Sequence, residues 1–193
     1  MDKQDYLTWA SKYDKSQGWA TQKEKELGAR FRRLKTMSKT DLIEVVKWKS
    51  NDDTKRDHIL ELVSRNDEAT VRRISSQVFS MPEDDACRIN CLLMLEGISP
   101  VLASVILAFF DPKRYGIFDS YVWKSLLGNE PPNLYSTVNY LRLLTALRKT
   151  AAKHGLDVRL IEKALFKMRL DELGSCEHVS QRRRSTKKLR SER

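Results

Sequence analysis

Apolar residues recur three and four apart along most of this chain, the spacing of one helix face. Only Asp157-Val158-Arg159-Leu160 alternates with a period of two, and it stands at a helix start. The pattern therefore predicts an all-α fold. Asp5 to Asp14 reads as a helix with Tyr6, Trp9 and Tyr13 on one stripe. Ser38 reads as an N-cap with Asp41 three residues on, and Leu42, Val45 and Val46 as the buried stripe of a helix ending near Trp48-Lys49. Ser50 to Asp53 is a polar break. A short helix is expected from His58 to Ser64, and another after a cap at Asn66, with Val71, Ile74 and Val78 inward. Met81-Pro82 ends it, and Pro82 is expected to start a helix running to Leu95.

The stretch LEGISPVLASVILAFFDPKRYGIFDSYVW organises the middle of the chain. Gly97 and Ser99 permit a tight turn, and Pro100 suits the first position of a new helix, where its missing N–H costs nothing. Val101, Leu102, Val105, Ile106 and Phe109 make that helix mostly buried, and Asp111-Pro112 stops it. Asp119 then stands alone between apolar pairs, ahead of a helix from Ser120 to Leu127. Gly128 to Pro132 is a loop. Ser136 caps a long helix closed by Gly155, and Asp157 caps the last one, with Ile161, Ala164 and Leu165 inward. From about Gly174 the apolar residues give out, and a disordered basic tail over 174–193 is expected.

Length and charge narrow the picture. The 193 residues suffice for one domain with a sizeable core, or two helical lobes sharing one. The formal net charge is +10 and the pI about 9.6, which favours a polyanionic partner. Glu177 to Arg193 holds seven Lys and Arg against two Glu, so the remainder is basic in its own right. No apolar run is long enough for a bilayer, and the N-terminal residues lack a signal-peptide core, which predicts an intracellular protein without a membrane. Cys87 and Cys91, four apart on a predicted helix, are expected to be buried thiols. With Cys176 they make no zinc or iron–sulfur ligand set, so neither metal nor cofactor is expected.

Two features carry chemistry. Backbone N–H groups of a tight turn at a helix start form an anion site, and Gly97-Ile98-Ser99 fits that need, with Ile98 anchoring the turn inward. An ordinary helix–helix turn has the same spacing. Asp119 is the second feature. At an N-cap a carboxylate has its charged form favoured by backbone N–H groups. Beside a phosphate-binding hairpin it can face an anomeric carbon, stabilise an oxocarbenium ion and orient water.

Leu95, Gly97, Ile98, Ala103, Ile106, Leu107 and Asp119 together resemble the helix–hairpin–helix segment of the DNA glycosylase superfamily of endonuclease III-like, adenine and 8-oxoguanine glycosylases. The resemblance covers Leu92 to about Leu127. Three positions depart from the family pattern. Glu96 replaces the usual Pro, Ser99 the second Gly, and Val101 the lysine of bifunctional members. The iron–sulfur loop of some members is absent.

The resemblance implies a two-lobed domain over 1–173, with a middle lobe of about 38–127 and another from 1–35 plus 136–172. It implies a monomeric, monofunctional DNA N-glycosylase without lyase activity, acting on double-stranded DNA with the base flipped into the cleft between lobes. Asp119 is then the catalytic residue. Gly97, Ile98, Ser99, Val101, Tyr121, Lys113 and Arg114 are expected phosphate contacts, and Arg182, Arg183 and Arg184 add salt-dependent affinity. Trp48, Lys49, Ser50 and Asn51 are expected pocket or wedge residues. Such a protein belongs with DNA in the cytoplasm, or in a nucleus. Damaged bases and modified bases of invading phage DNA fit equally. A non-catalytic hairpin module that binds DNA and a helical protein-interaction domain are the alternatives.

Overall fold

A computed structural model describes all residues except 51, 52, 83, 192 and 193, and side chains through Gly174. Its described residues form ten helices and no strand. α1 (Lys3–Ser16) opens on a capping box in which Asp2 and Asp5 exchange side chain-to-backbone hydrogen bonds of 2.8 Å. α2 (Gly18–Leu34) follows almost without a break, a helix that the periodicity of residues 1–35 did not announce. α3 (Lys39–Lys49) has the expected Ser38/Asp41 capping box. α4 (Asp53–Ser64) starts a turn earlier than expected, because the polar residues of its first turn carry no apolar signal.

α5 (Glu68–Ser80) is capped by Asp67, not by Asn66. α6 (Asp85–Leu92) is capped by Asp84, whose carboxylate accepts from the Cys87 N–H at 2.8 Å. Pro82 therefore does not start that helix, since an Asp side chain supplies what a Pro at N1 only tolerates. Cys87 faces solvent and Cys91 is half-buried, which corrects the expectation of two core thiols; the inward face instead runs through Ile89 and Leu92.

α7 (Pro100–Phe110), α8 (Ser120–Leu127) and α9 (Thr137–His154) begin and end where caps and punctuation place them. α10 (Val158–Ser191) is longer than expected, its backbone helical through Ser191. The expected change to a disordered tail at Gly174 is not seen. The stretch from 175 to 191 holds four Arg and two Lys, residues of good helix propensity.

α7 is the axis of the core, with every residue from Leu102 to Phe110 buried. α2 lies along it so closely that a Cβ on Gly28 would stand 2.6 Å from the Phe109 carbonyl oxygen. α1 lies along α10, and α8 and α9 also pack on α10. The first and last helices thus form one layer against the middle of the chain.

Candidate active site

The hairpin turn is built on Asn66. Its carboxamide donates to the Val63 carbonyl (2.9 Å) and the Glu96 carbonyl (3.0 Å), and accepts from the Glu96 N–H (2.9 Å). Asn66 is therefore a clamp, its side chain spent on the turn rather than on a cap. Gly97 sits at φ +79°, and a Cβ there would meet Val63 Cγ2 at 2.9 Å, so both backbone and space require glycine. Ile98 is buried and its N–H donates to the Leu95 carbonyl, which leaves that N–H unavailable as an anion donor. Ser99 caps α7, with Pro100 at its first position and Val101 half-buried just inside.

Beyond α7 the chain doubles back. The Phe118 N–H donates to Ser104 Oγ at 2.8 Å, only one turn into α7. That bond returns the segment along the first half of the helix, with Asp119 the next residue. The Asp119 carboxylate caps α8, its Oδ1 accepting from the Tyr121 N–H at 2.9 Å. Its Oδ2 faces Lys49 Nζ at 3.4 Å. The Asp119 side chain is 17% exposed and that of Lys49 25%.

Around this pair lies a recess of about 40 Å³, lined by Trp48, Ile117, Arg159, Glu162, Tyr13 and Phe166 besides the pair itself. That volume holds about one water molecule. Of its lining rings, Phe166 lies 5.9 Å from Tyr13, and Phe166 also stands 5.7 Å from Tyr121.

The wall contributed by α10 is charged and buried. Arg159 donates to both oxygens of Glu24, at 3.0 and 2.8 Å, and to Glu162. Lys163 bridges Glu24 (3.3 Å) and Asp14 (2.9 Å). Burial works against the charge on Glu24, but Arg159 and Lys163 outweigh it and hold this carboxyl below its ordinary value. Burial likewise opposes the Arg159 charge, and Glu24 then raises its value above the ordinary one. Burial pushes the Tyr13 hydroxyl up.

The expected residues divide. Asp119, Tyr121 and Lys49 come together. Trp48 also lines the recess, yet its indole N–H donates to the Ala20 carbonyl (2.7 Å) and its ring packs edge-on against Phe109 (4.9 Å), so it is a wall rather than a wedge. Ser50 opens instead onto a separate surface groove with Trp19, Lys47 and Arg56. Asn51 lies outside the described residues. Lys113 and Arg114 stand at the far end of α7, about 16 Å along an 11-residue helix, where the Arg114 carbonyl accepts from Arg148. They do not line the recess, although the Lys113 carbonyl accepts from the Val158 N–H at 3.3 Å, next to the recess-lining Arg159. Arg182, Arg183 and Arg184 lie on the helical backbone beyond the described side chains.

Sequence reading does not pick out Arg159, Glu162 and Phe166 as site residues, and it places Tyr13 only on the aromatic stripe of the first helix. A signal existed: Arg159, Glu162, Lys163 and Phe166 recur at the spacing of one helix face, so the last helix carries a charged stripe beside its apolar one.

Among the described residues no cluster of three His, Cys, Asp or Glu side chains would hold a metal ion, and no helix is long and apolar enough to cross a membrane. Comparison with protein-family models, with curated proteins and with solved structures returns no match.

Proposed function

We propose that this chain is a DNA N-glycosylase in which Asp119 faces the anomeric carbon of a deoxyribose. One observation carries the reading. The Phe118–Ser104 bond brings the segment that carries the partly buried Asp119 carboxylate back along α7, the helix that the hairpin turn opens. Phosphate held at the turn and N-terminus of α7 would bring the sugar to Asp119. The carboxylate then stabilises the oxocarbenium ion that forms as the base departs and orients water toward C1′. Val101 keeps an amine off the hairpin helix, so base release is hydrolytic. The water-sized recess beside Asp119 suits that nucleophile.

A flipped base needs more room than about 40 Å³, since ligand pockets begin near about 300 Å³. Entry of the base therefore requires the recess to widen. The small recess also favours a second reading, a hairpin module that binds DNA without excising anything.

The deciding experiment incubates the protein with genomic and phage DNAs of differing base modification. Abasic sites are counted and the released base is identified by mass spectrometry. Base release by wild type and none by Asp119→Asn is the expected outcome. DNA binding that falls with added salt, with no base released from any DNA, would establish the second reading instead.

A further inference from the structure

We propose that Lys49 is an amine nucleophile, so that the chain also cleaves the DNA strand at the abasic site that base release creates. The inference rests on the glycosylase reading and adds an activity to it. The expectation of a monofunctional enzyme came from Val101 alone. The structure brings an amine to the same carboxylate from a different helix, α3, at a position expected only to shape the pocket.

The geometry favours reaction over mere pairing. Lys49 is the last residue of α3, with Ser50 as its C-cap, and its side chain lines the recess. Its Nζ stands 3.4 Å from Asp119 Oδ2, well beyond the roughly 2.7–2.9 Å of a tight charge-assisted bond. The amine is held beside the carboxylate without being locked to it. Any sugar carbon facing Asp119 also faces Lys49.

Loss of a base leaves deoxyribose whose open form is an aldehyde at C1′, the kind of carbonyl with which lysine amines form Schiff bases. Lys49 Nζ gives a proton to Asp119 and its lone pair forms a bond to C1′. The carbonyl oxygen takes up one proton from the attacking nitrogen and a second returned by Asp119, and leaves as water, giving an iminium. Asp119 then takes a proton from C2′. The electron pair so released forms the C2′=C3′ bond, and the 3′ phosphate departs with the C3′–O electrons. Water hydrolyses the imine and frees Lys49. No oxidant or reductant enters.

The test uses the full chain and duplex DNA carrying an abasic site made beforehand by removal of uracil. Borohydride is added to reduce any imine, and the modified peptide is located by mass spectrometry. The expected result is an adduct on Lys49 and strand cleavage by wild type. In Lys49→Arg, which keeps the charge, cleavage should fall by about a hundredfold or more while DNA binding survives. An adduct on another amine, or none with DNA bound, would overturn the proposal. Because the abasic site is supplied, base release is scored separately from modified DNA. Base release without a Lys49 adduct overturns the amine step alone, and failure to bind DNA overturns both readings.

Discussion

Two partly buried aspartates, Asp85 and Asp119, stand near opposite ends of the same core helix and are treated in opposite ways. Asp85 is saturated. Arg148 donates to its two oxygens at 2.5 and 3.0 Å, and the Tyr115 hydroxyl adds a bond of 2.7 Å. Tyr115 in turn accepts from Arg88 at 3.0 Å. Burial acts against the charge on Asp85, but Arg148 and Tyr115 prevail and hold its carboxyl below the ordinary value. Asp119 has one N–H and one loosely held lysine. A carboxylate whose lone pairs are all taken ties helices together. One with lone pairs to spare, facing a recess, is available for chemistry. The difference lies in the partners more than in exposure, which is 21% for the Asp85 side chain and 17% for that of Asp119.

Substitutions at the two sites should separate rate from stability. The largest effect belongs to Asp119→Asn. Base release should fall about a thousandfold, or about 4 kcal/mol in the barrier. Asn caps a helix as well as Asp, so the melting temperature should stay within a few degrees. A melting temperature that collapses with the activity would make Asp119 another Asp85.

Asp85→Ala should show the reverse. Leaving Arg148 and Tyr115 without their acceptor should cost about 3 kcal/mol, or about 6–12 °C in melting temperature. Base release per folded molecule should be retained. The pH dependence follows from the lowered value. Asp85 stabilises the fold above its unfolded pKa of about 3.9, and that contribution disappears as pH falls through the lower folded value. Acid titration of stability should therefore be shallower in Asp85→Ala than in wild type below about pH 4.

Gly97→Ala comes next, at about 2 kcal/mol, from the left-handed backbone together with the close approach to Val63. Because it displaces the turn, DNA affinity in a mobility-shift titration should fall with stability. Smallest is Trp48→Phe, which removes the bond to the Ala20 carbonyl and part of a buried ring, about 1.5 kcal/mol by chemical denaturation. A large loss of DNA affinity in that variant would show Trp48 leaving the core to stack on a base.

Much of the backbone was legible because its signals are local. Ser38 with Asp41, Ser99 with Pro100, Asp119, Ser136 and Gly155 each mark a boundary through a cap or a left-handed residue within a few positions. Where two polar residues competed, local reading erred. Asn66 and Asp67 both suit a cap, and only the fold shows that the hairpin claims Asn66. α2 went unseen because its many charges dilute the apolar face.

The candidate site was legible at Asp119 and not around it. Glu24 and Arg159 meet across 135 positions, and nothing near either in sequence announces the other. Lys49 was legible as a polar residue at a helix end, but its pairing with Asp119 across 70 positions was not.

The ring contact between Tyr13 and Phe166 joins the first helix to the last. Its consequence concerns the making of the protein. During synthesis the ribosome supplies the hairpin and Asp119 long before the residues that wall them in. A growing chain that has reached α8 holds a carboxylate without Arg159, Glu162 or Phe166 beside it. Only when α10 emerges and lies down on α1 does the recess exist. An unfinished or prematurely terminated polypeptide therefore carries Asp119 without the recess around it.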